Sequence, residues 1–265
     1  DHLWVKFYDG TQTAPDPLLT GSVSSAARPY AANRIGIGIP YVITTALAHQ
    51  RNDGEEETLF NGFPTFKFVT NGARLYDISR DSSVGGVGEQ RYDNPLTWGG
   101  DGDFNPAVQI YNLLRGIRYN GQWLYGLQKT NASNLPSADW IRVINKCRAP
   151  IQGEGGNEPT YRTGGEIQVG AQIKFAIESI LTGCQGRISE VGGIYKMNVG
   201  EPEAPVVTFV DDDILSSEEQ TFTPFFTLED TINGIQATYP NPAEGWNTKT
   251  APPLYRPDLE ALSDN

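Results

Sequence analysis

Asn105-Pro106-Ala107-Val108-Gln109-Ile110-Tyr111-Asn112-Leu113-Leu114-Arg115-Gly116-Ile117 is the stretch on which the fold turns. Asn105 has the side chain of a helix cap, and Pro106 stands where a missing backbone N–H costs nothing. Ile110, Leu113, Leu114 and Ile117 recur at i, i+3, i+4 and i+7, and Gly116 ends this helix or sits just past it. A second helix is expected with Ser137 as its cap. Trp140, Ile141, Ile144 and Cys147 share its face until Pro150 stops it. The third carries one stripe of Ile173, Ala176, Ile177, Ile180, Leu181 and Cys184, with Gly186 beyond. Residues 187–189 and 194–199 then flank Glu190-Val191-Gly192-Gly193 as a hairpin.

Outward from these helices the pattern turns to β. Leu3, Val5 and Phe7 alternate with Trp4, Lys6 and Tyr8, and Asp9-Gly10 gives a turn. Residues 15–40 hold Pro15, Pro17, Pro29 and Pro40 and read as a long loop. A β-branched strand is expected over 41–48, a turn at Asn52-Asp53-Gly54, and a solvated turn at Glu55-Glu56-Glu57. Residues 63–69 and 73–78 read as a hairpin around Asn71-Gly72. Residues 79–104 are rich in Gly, Ser and Asn-Pro and read as a crossing loop. The β pattern returns over 205–210 and 232–239, and after Pro240 the chain becomes polar and proline-rich. This order predicts an α+β fold, mainly β. Residues 1–80 and 205–245 form a discontinuous β domain, 81–104 a linker, 105–204 an inserted α/β module with about three helices, and 246–265 an extended exit segment.

Composition narrows the function classes. Twenty Lys and Arg against 32 Asp and Glu leave a net charge of −12, which argues against a general nucleic-acid binder or an anionic membrane surface. With 29 Gly and 18 Pro in 265 residues, many turns and short strands are expected rather than a helical bundle. Cys147 and Cys184 cannot form a disulfide framework or a four-cysteine zinc site, and read as reduced, buried thiols. No run approaches 18 apolar residues, so no membrane span is expected.

Motifs of chemistry are incomplete. His2 and His49 stand beside no nucleophile motif, and no G-x-S-x-G occurs. Asp101-Gly102-Asp103-Phe104-Asn105 opens like a calcium loop, but Pro106 and Asn112 occupy the places that need Gly and Glu. Asp103 and Asn105 instead suit the N-terminus of the first helix. Asp211-Asp212-Asp213 reads as a capped turn. Gly36-Ile37-Gly38 and Gly85-Gly86-Val87-Gly88 lack the following helix of a phosphate loop. No catalytic residue, metal ligand or cofactor is expected. Trp123, within Tyr119-Asn120-Gly121-Gln122-Trp123-Leu124-Tyr125-Gly126, is the best candidate for an exposed aromatic.

One resemblance organises these pieces. Phe63-Pro64 through Val69, Gly72 and Tyr76-Asp77, then Trp98, Asn105-Pro106-Ala107 and the helix to Leu113-Leu114, occur in an order similar to that of the central tail-tip hub proteins of long-tailed phages, the host-specificity protein J-like family. Tyr161 to Ile167, Gly193-Ile194-Tyr195-Lys196, residues 206–215 with Asp211-Asp212-Asp213-Ile214-Leu215, and Asn233-Gly234-Ile235 continue it, so that it runs from about residue 60 to 255. The resemblance implies a structural virion protein at the tail tip, an internal fragment of a β-barrel-like hub that closes the tail tube and supports host attachment and DNA delivery. It implies a homotrimer in contact with distal-tail and tape-measure proteins and the remaining hub domains. Trp123, Tyr125, Trp246 and Tyr255 carry apolar area outside any core stripe and are the expected interface residues. The competing expectations are a tail-associated cell-wall hydrolase and a surface-polysaccharide-binding module.

Overall fold

The computed structural model describes residues 2–47, 49–52, 55–58, 60, 62–119, 121–153, 155–200, 204–215, 217, 221, 232 and 234–257. The chain divides into two compact units, 1–201 and 202–265. In the first, the order is β1 (Leu3–Tyr8), α1 (Pro17–Thr20), β2 (Tyr41–Ala46), β3 (His49–Asn52), β4 (Glu55–Thr58), α2 (Pro106–Arg115), β5 (Ile117–Tyr119), β6 (Gln122–Tyr125), α3 (Ser137–Arg148), β7 (Pro150–Gly153), β8 (Gly156–Pro159), α4 (Ile173–Thr182), β9 (Arg187–Val191) and β10 (Ile194–Asn198). The second holds β11 (Gly234–Ile235), β12 (Thr238–Asn241), β13 (Asn247–Thr250) and β14 (Leu254–Tyr255). The fold is α+β. Its sheets are two-stranded and antiparallel, and among the described residues none closes into a barrel.

The core lies in the helical part of the first unit. Asn105 caps α2, its Oδ1 accepting from the N–H groups of Ala107 and Val108, while its Nδ2 donates to the Ile144 carbonyl of α3. One side chain thus starts one helix and ties it to another. Ala107, Val108, Ile110, Tyr111, Leu113 and Leu114 of α2 pack with Trp140, Val143, Ile144 and Cys147 of α3 and with Ala176 and Ile180 of α4. Met197 and Val199 close this core from the β10 side. Ile173, Ile177 and Leu181 of α4 are only half-buried, at its edge.

The structure revises several expectations. Ser137 is the first residue of α3 rather than its cap; the preceding Pro136 makes no side-chain cap bond. Ile117 leaves the helix for β5 because Gly116 turns the chain at φ +81°. Glu55, Glu56 and Glu57 run in β4 instead of forming a turn. No strand forms within 62–77. The backbone groups that would zip the expected 63–78 hairpin are engaged elsewhere: Leu75 N–H donates to Asp103, Tyr76 N–H to Asn112 and Asp77 N–H to Gln90. Residues 81–104, expected as a linker, are folded against the core through Tyr92 and Trp98. The segment 205–210 forms no strand and bends at Val206, whereas part of the expected exit segment pairs as β13 with β12 and β14 with β11. Ala48, the turn residues Asp53-Gly54, Asn120, Ser216, Glu218-Glu219, Asn233 and residues 258–265 lie outside the described residues.

Candidate functional site

The densest group of charged side chains sits where the 75–104 loop meets the end of α3. Asp77, 1% exposed, accepts through Oδ1 from Ser79 N–H and Oγ–H, and through Oδ2 from Arg148 Nη2 at 2.5 Å. Arg148 Nε also donates to Asp101 at 2.9 Å, and Arg80 Nη2 reaches the other Asp101 oxygen at 2.6 Å. One turn away, buried Asp81 accepts from the Tyr76 hydroxyl at 2.7 Å, from Ser83 and from Arg91. Asn112 of α2 both accepts from and donates to the Tyr76 backbone. Arg148 ties Asp77 and Asp101 to α3 and Asn112 ties the Tyr76 backbone to α2, while Asp81 closes the loop on itself, so the group clamps the loop onto α2 and α3.

Its titration follows from those partners. Burial pushes the Asp81 and Asp101 carboxyls up, but hydrogen bonds and neighbouring guanidiniums outweigh it and hold both below the ordinary range. Asp103 is instead raised by burial, and its two oxygens accept from Leu75 and Gly100 N–H groups. The calcium-like run is therefore divided between an ion-pair clamp at Asp101, a loop closure at Asp103 and a helix cap at Asn105. Among the described residues no cluster of His, Cys, Asp and Glu is arranged to hold a metal.

Cys147 and Cys184 are free and fully buried. Burial pushes their thiols up to about 12 and about 11, so both are protonated and poor nucleophiles at neutral pH. A smaller polar group joins β1 to α1: Asp16 caps α1 and accepts from Lys6 Nζ at 2.6 Å and from the Tyr8 hydroxyl, which lowers its carboxyl to about 2.

The expected interface residues separate. Trp123 is 42% exposed on β6, whereas Tyr125 is buried and donates its hydroxyl to the Ala171 carbonyl at 3.0 Å. Tyr125 therefore belongs to the core, because the register shift between Ile117 and Arg118 puts it on the face of β6 opposite to that of Trp123. In the second unit Trp246 and Tyr255 are exposed, Trp246 at φ +65° after Gly245. The more exposed apolar side chains lie where no interface was expected: Val206 at 97%, Phe209 at 81% and Leu215 at 72%. Their sequence signal, a β-branched and aromatic run, was readable as strand but carried nothing to say that its ladder would be empty.

No known family profile matches the chain, and no curated protein matches it in sequence.

Proposed function

We propose that the chain is a structural subunit of a phage tail tip, a piece of the J-like central hub that closes the tail tube and supports host attachment and DNA delivery. One observation carries the reading. The part of the ordered resemblance that lies between Tyr76 and Tyr195 contributes residues far apart in sequence to one folded centre. Tyr76, Ala107, Leu113 and Leu114 are core residues, Trp98, Tyr161 and Tyr195 pack against that core, and Asp77 and Asn105 anchor its loop and its first helix. An architectural signature behaves this way, since its residues are tied to packing rather than to a reacting centre.

Exposed apolar side chains support the assembly part. Val206, Phe209, Leu215, Trp246 and Tyr255 expose apolar area, the kind of surface that a homotrimer or neighbouring tail proteins would cover. The β-barrel-like hub belongs to that assembled state, completed by other copies or by the remaining hub domains. Trp123, Trp246 and Tyr255 stay in the proposed interface; buried Tyr125 leaves it. The test is immunogold electron microscopy of intact virions with antibody raised against this chain. Labelling confined to the tail tip is expected, and labelling of the head or of no virion part overturns the reading.

A further inference from the structure

The β9–β10 hairpin has two unequal edges. Its turn is Gly192-Gly193, with Val191 opposite Ile194. A two-residue turn makes that pair hydrogen-bonded, so Tyr195 on β10 and Ile188 and Glu190 on β9 point their backbone groups outward. On the β10 side this edge is covered: the Tyr195 carbonyl accepts from Trp140 Nε1 of α3 at 3.1 Å. On the β9 side it borders an open groove. Ile177 and Leu181 of α4 and Ile188 of β9 are its apolar lining; Lys174, Glu178 and Arg187 are its charged lining, and Lys174 pairs with Glu178 at 3.7 Å. Glu190 is occupied with the Gly193 N–H. An open edge above an apolar floor is a template for an added strand.

The chain also carries a strand-like run that pairs with nothing among the described residues. Val206-Val207-Thr208-Phe209-Val210 has the β-branched and aromatic composition of a strand and is exposed along its length, with Val210 in extended backbone, and Asp211-Asp212-Asp213 follows it. We infer that this segment of one copy adds antiparallel to β9 of a second copy. In the register Val207–Glu190, Thr208–Ser189, Phe209–Ile188 and Val210–Arg187, the outward backbone groups of Ile188 and Glu190 meet those of Phe209 and Val207. Phe209 then lies on the face of Ile188, over Ile177 and Leu181. The acidic end falls beside Arg187, which makes no ion pair among the described residues, and the bond from Val210 N–H to Asp213 Oδ2 is retained because it points away from β9. Apolar floor, free edge and charge agree on one direction and one register. The inference deepens the assembly part of the proposed function and rests on it for the partner being a second copy.

The pair Thr208–Ser189 is the non-hydrogen-bonded one, with Cα atoms about 4.5 Å apart, close enough for a disulfide. Full chains carrying Ser189→Cys and Thr208→Cys separately are mixed in concentrated solution under mild oxidation. The native thiols are buried and stay out of the reaction. A disulfide-linked heterodimer is expected, and adding Phe209→Asp to the Thr208→Cys chain lowers its yield about tenfold or more, as loss of a central aromatic anchor does. No heterodimer, or one insensitive to Phe209→Asp, overturns the inference. So does an intrachain disulfide formed in the double variant in place of an interchain one, which assigns the strand to its own molecule. None of these outcomes alters the immunogold result, so the two readings fail separately.

Discussion

Arg148 is a residue whose worth depends on what would remain without it. It bridges buried Asp77 and half-exposed Asp101. Removing it leaves the buried Asp77 carboxylate with only the longer contact to Arg80 Nε at 3.8 Å, and Arg148→Ala is expected to cost up to about 3–5 kcal/mol in urea unfolding. The reverse change at an open site, Arg187→Ala, is expected to stay within about 0.5 kcal/mol. Gly116 is constrained by its backbone: at φ +81° an added Cβ would stand 2.3 Å from the Leu127 carbonyl oxygen. Gly116→Ala is expected to cost at least about 2 kcal/mol, measured by thermal and chemical unfolding. The clamp also sets a pH dependence. Asp81, Asp101 and Asp16 have carboxyls below the ordinary range, so the stability they contribute is present above about pH 4 and lost as the pH falls toward their folded values. Asp103, raised by burial, acts with the opposite sign and offsets part of that loss. The urea midpoint is expected to hold from pH 7 to 5 and fall below pH 4, with a shallower fall in Asp81→Asn.

Helices differ in how deeply their stripes are set. Along α4, Ile180 is 9% exposed and Ala176 8%, whereas Ile177 and Leu181 face the open groove beside β9. Ile180→Ala is therefore expected to cost about 2–5 kcal/mol, and Ile177→Ala clearly less, in chemical unfolding. Equal costs would mean that the groove is closed in solution. At the start of α2, Asn105→Ala removes two cap bonds and the tie to Ile144, and is expected to cost at least the roughly 1–2 kcal/mol of a lost cap. The stripe of α4 was legible from its period of 3.6. The unequal depth of Ile177 and Ile180 was not, because periodicity gives a face and only the neighbouring hairpin gives its edges.

At the scale of the whole molecule, the buried core found among the described residues lies in one unit. Its buried residues run from Tyr76 to Val199, all within 1–201. A chain ending at residue 201 is accordingly expected to keep the urea midpoint of the full chain within about 0.5 kcal/mol, followed by tryptophan fluorescence from buried Trp140. The described part of the second unit holds two short antiparallel strand pairs with exposed aromatic and β-branched side chains. Such pairs gain most of their stability when a further surface covers them. Their place in the proposed function is to be covered by a partner.

What the residues settled by themselves is local. Asn105-Pro106 and Gly116 delimit a helix because capping, a missing N–H and a left-handed exit act within a turn of the chain. Gly192-Gly193 sets a hairpin for the same reason. Other outcomes needed the tertiary structure. The hairpin expected over 63–78 gave way because Asp103, Asn112 and Gln90, distant in sequence, bond the backbone groups a ladder would have used. The clamp of Asp77, Asp101 and Arg148 joins residues 24 and 71 positions apart from Asp77, and no spacing rule reaches that far. Tyr125 and Trp123 stand two residues apart, a spacing that a regular strand puts on one face, yet they have opposite fates because the register shifts between Ile117 and Arg118, which pair with Tyr125 and Trp123 respectively, and nothing in the local sequence announces that shift. Local geometry is encoded by neighbours; partner and face are decided by packing between parts the sequence keeps apart.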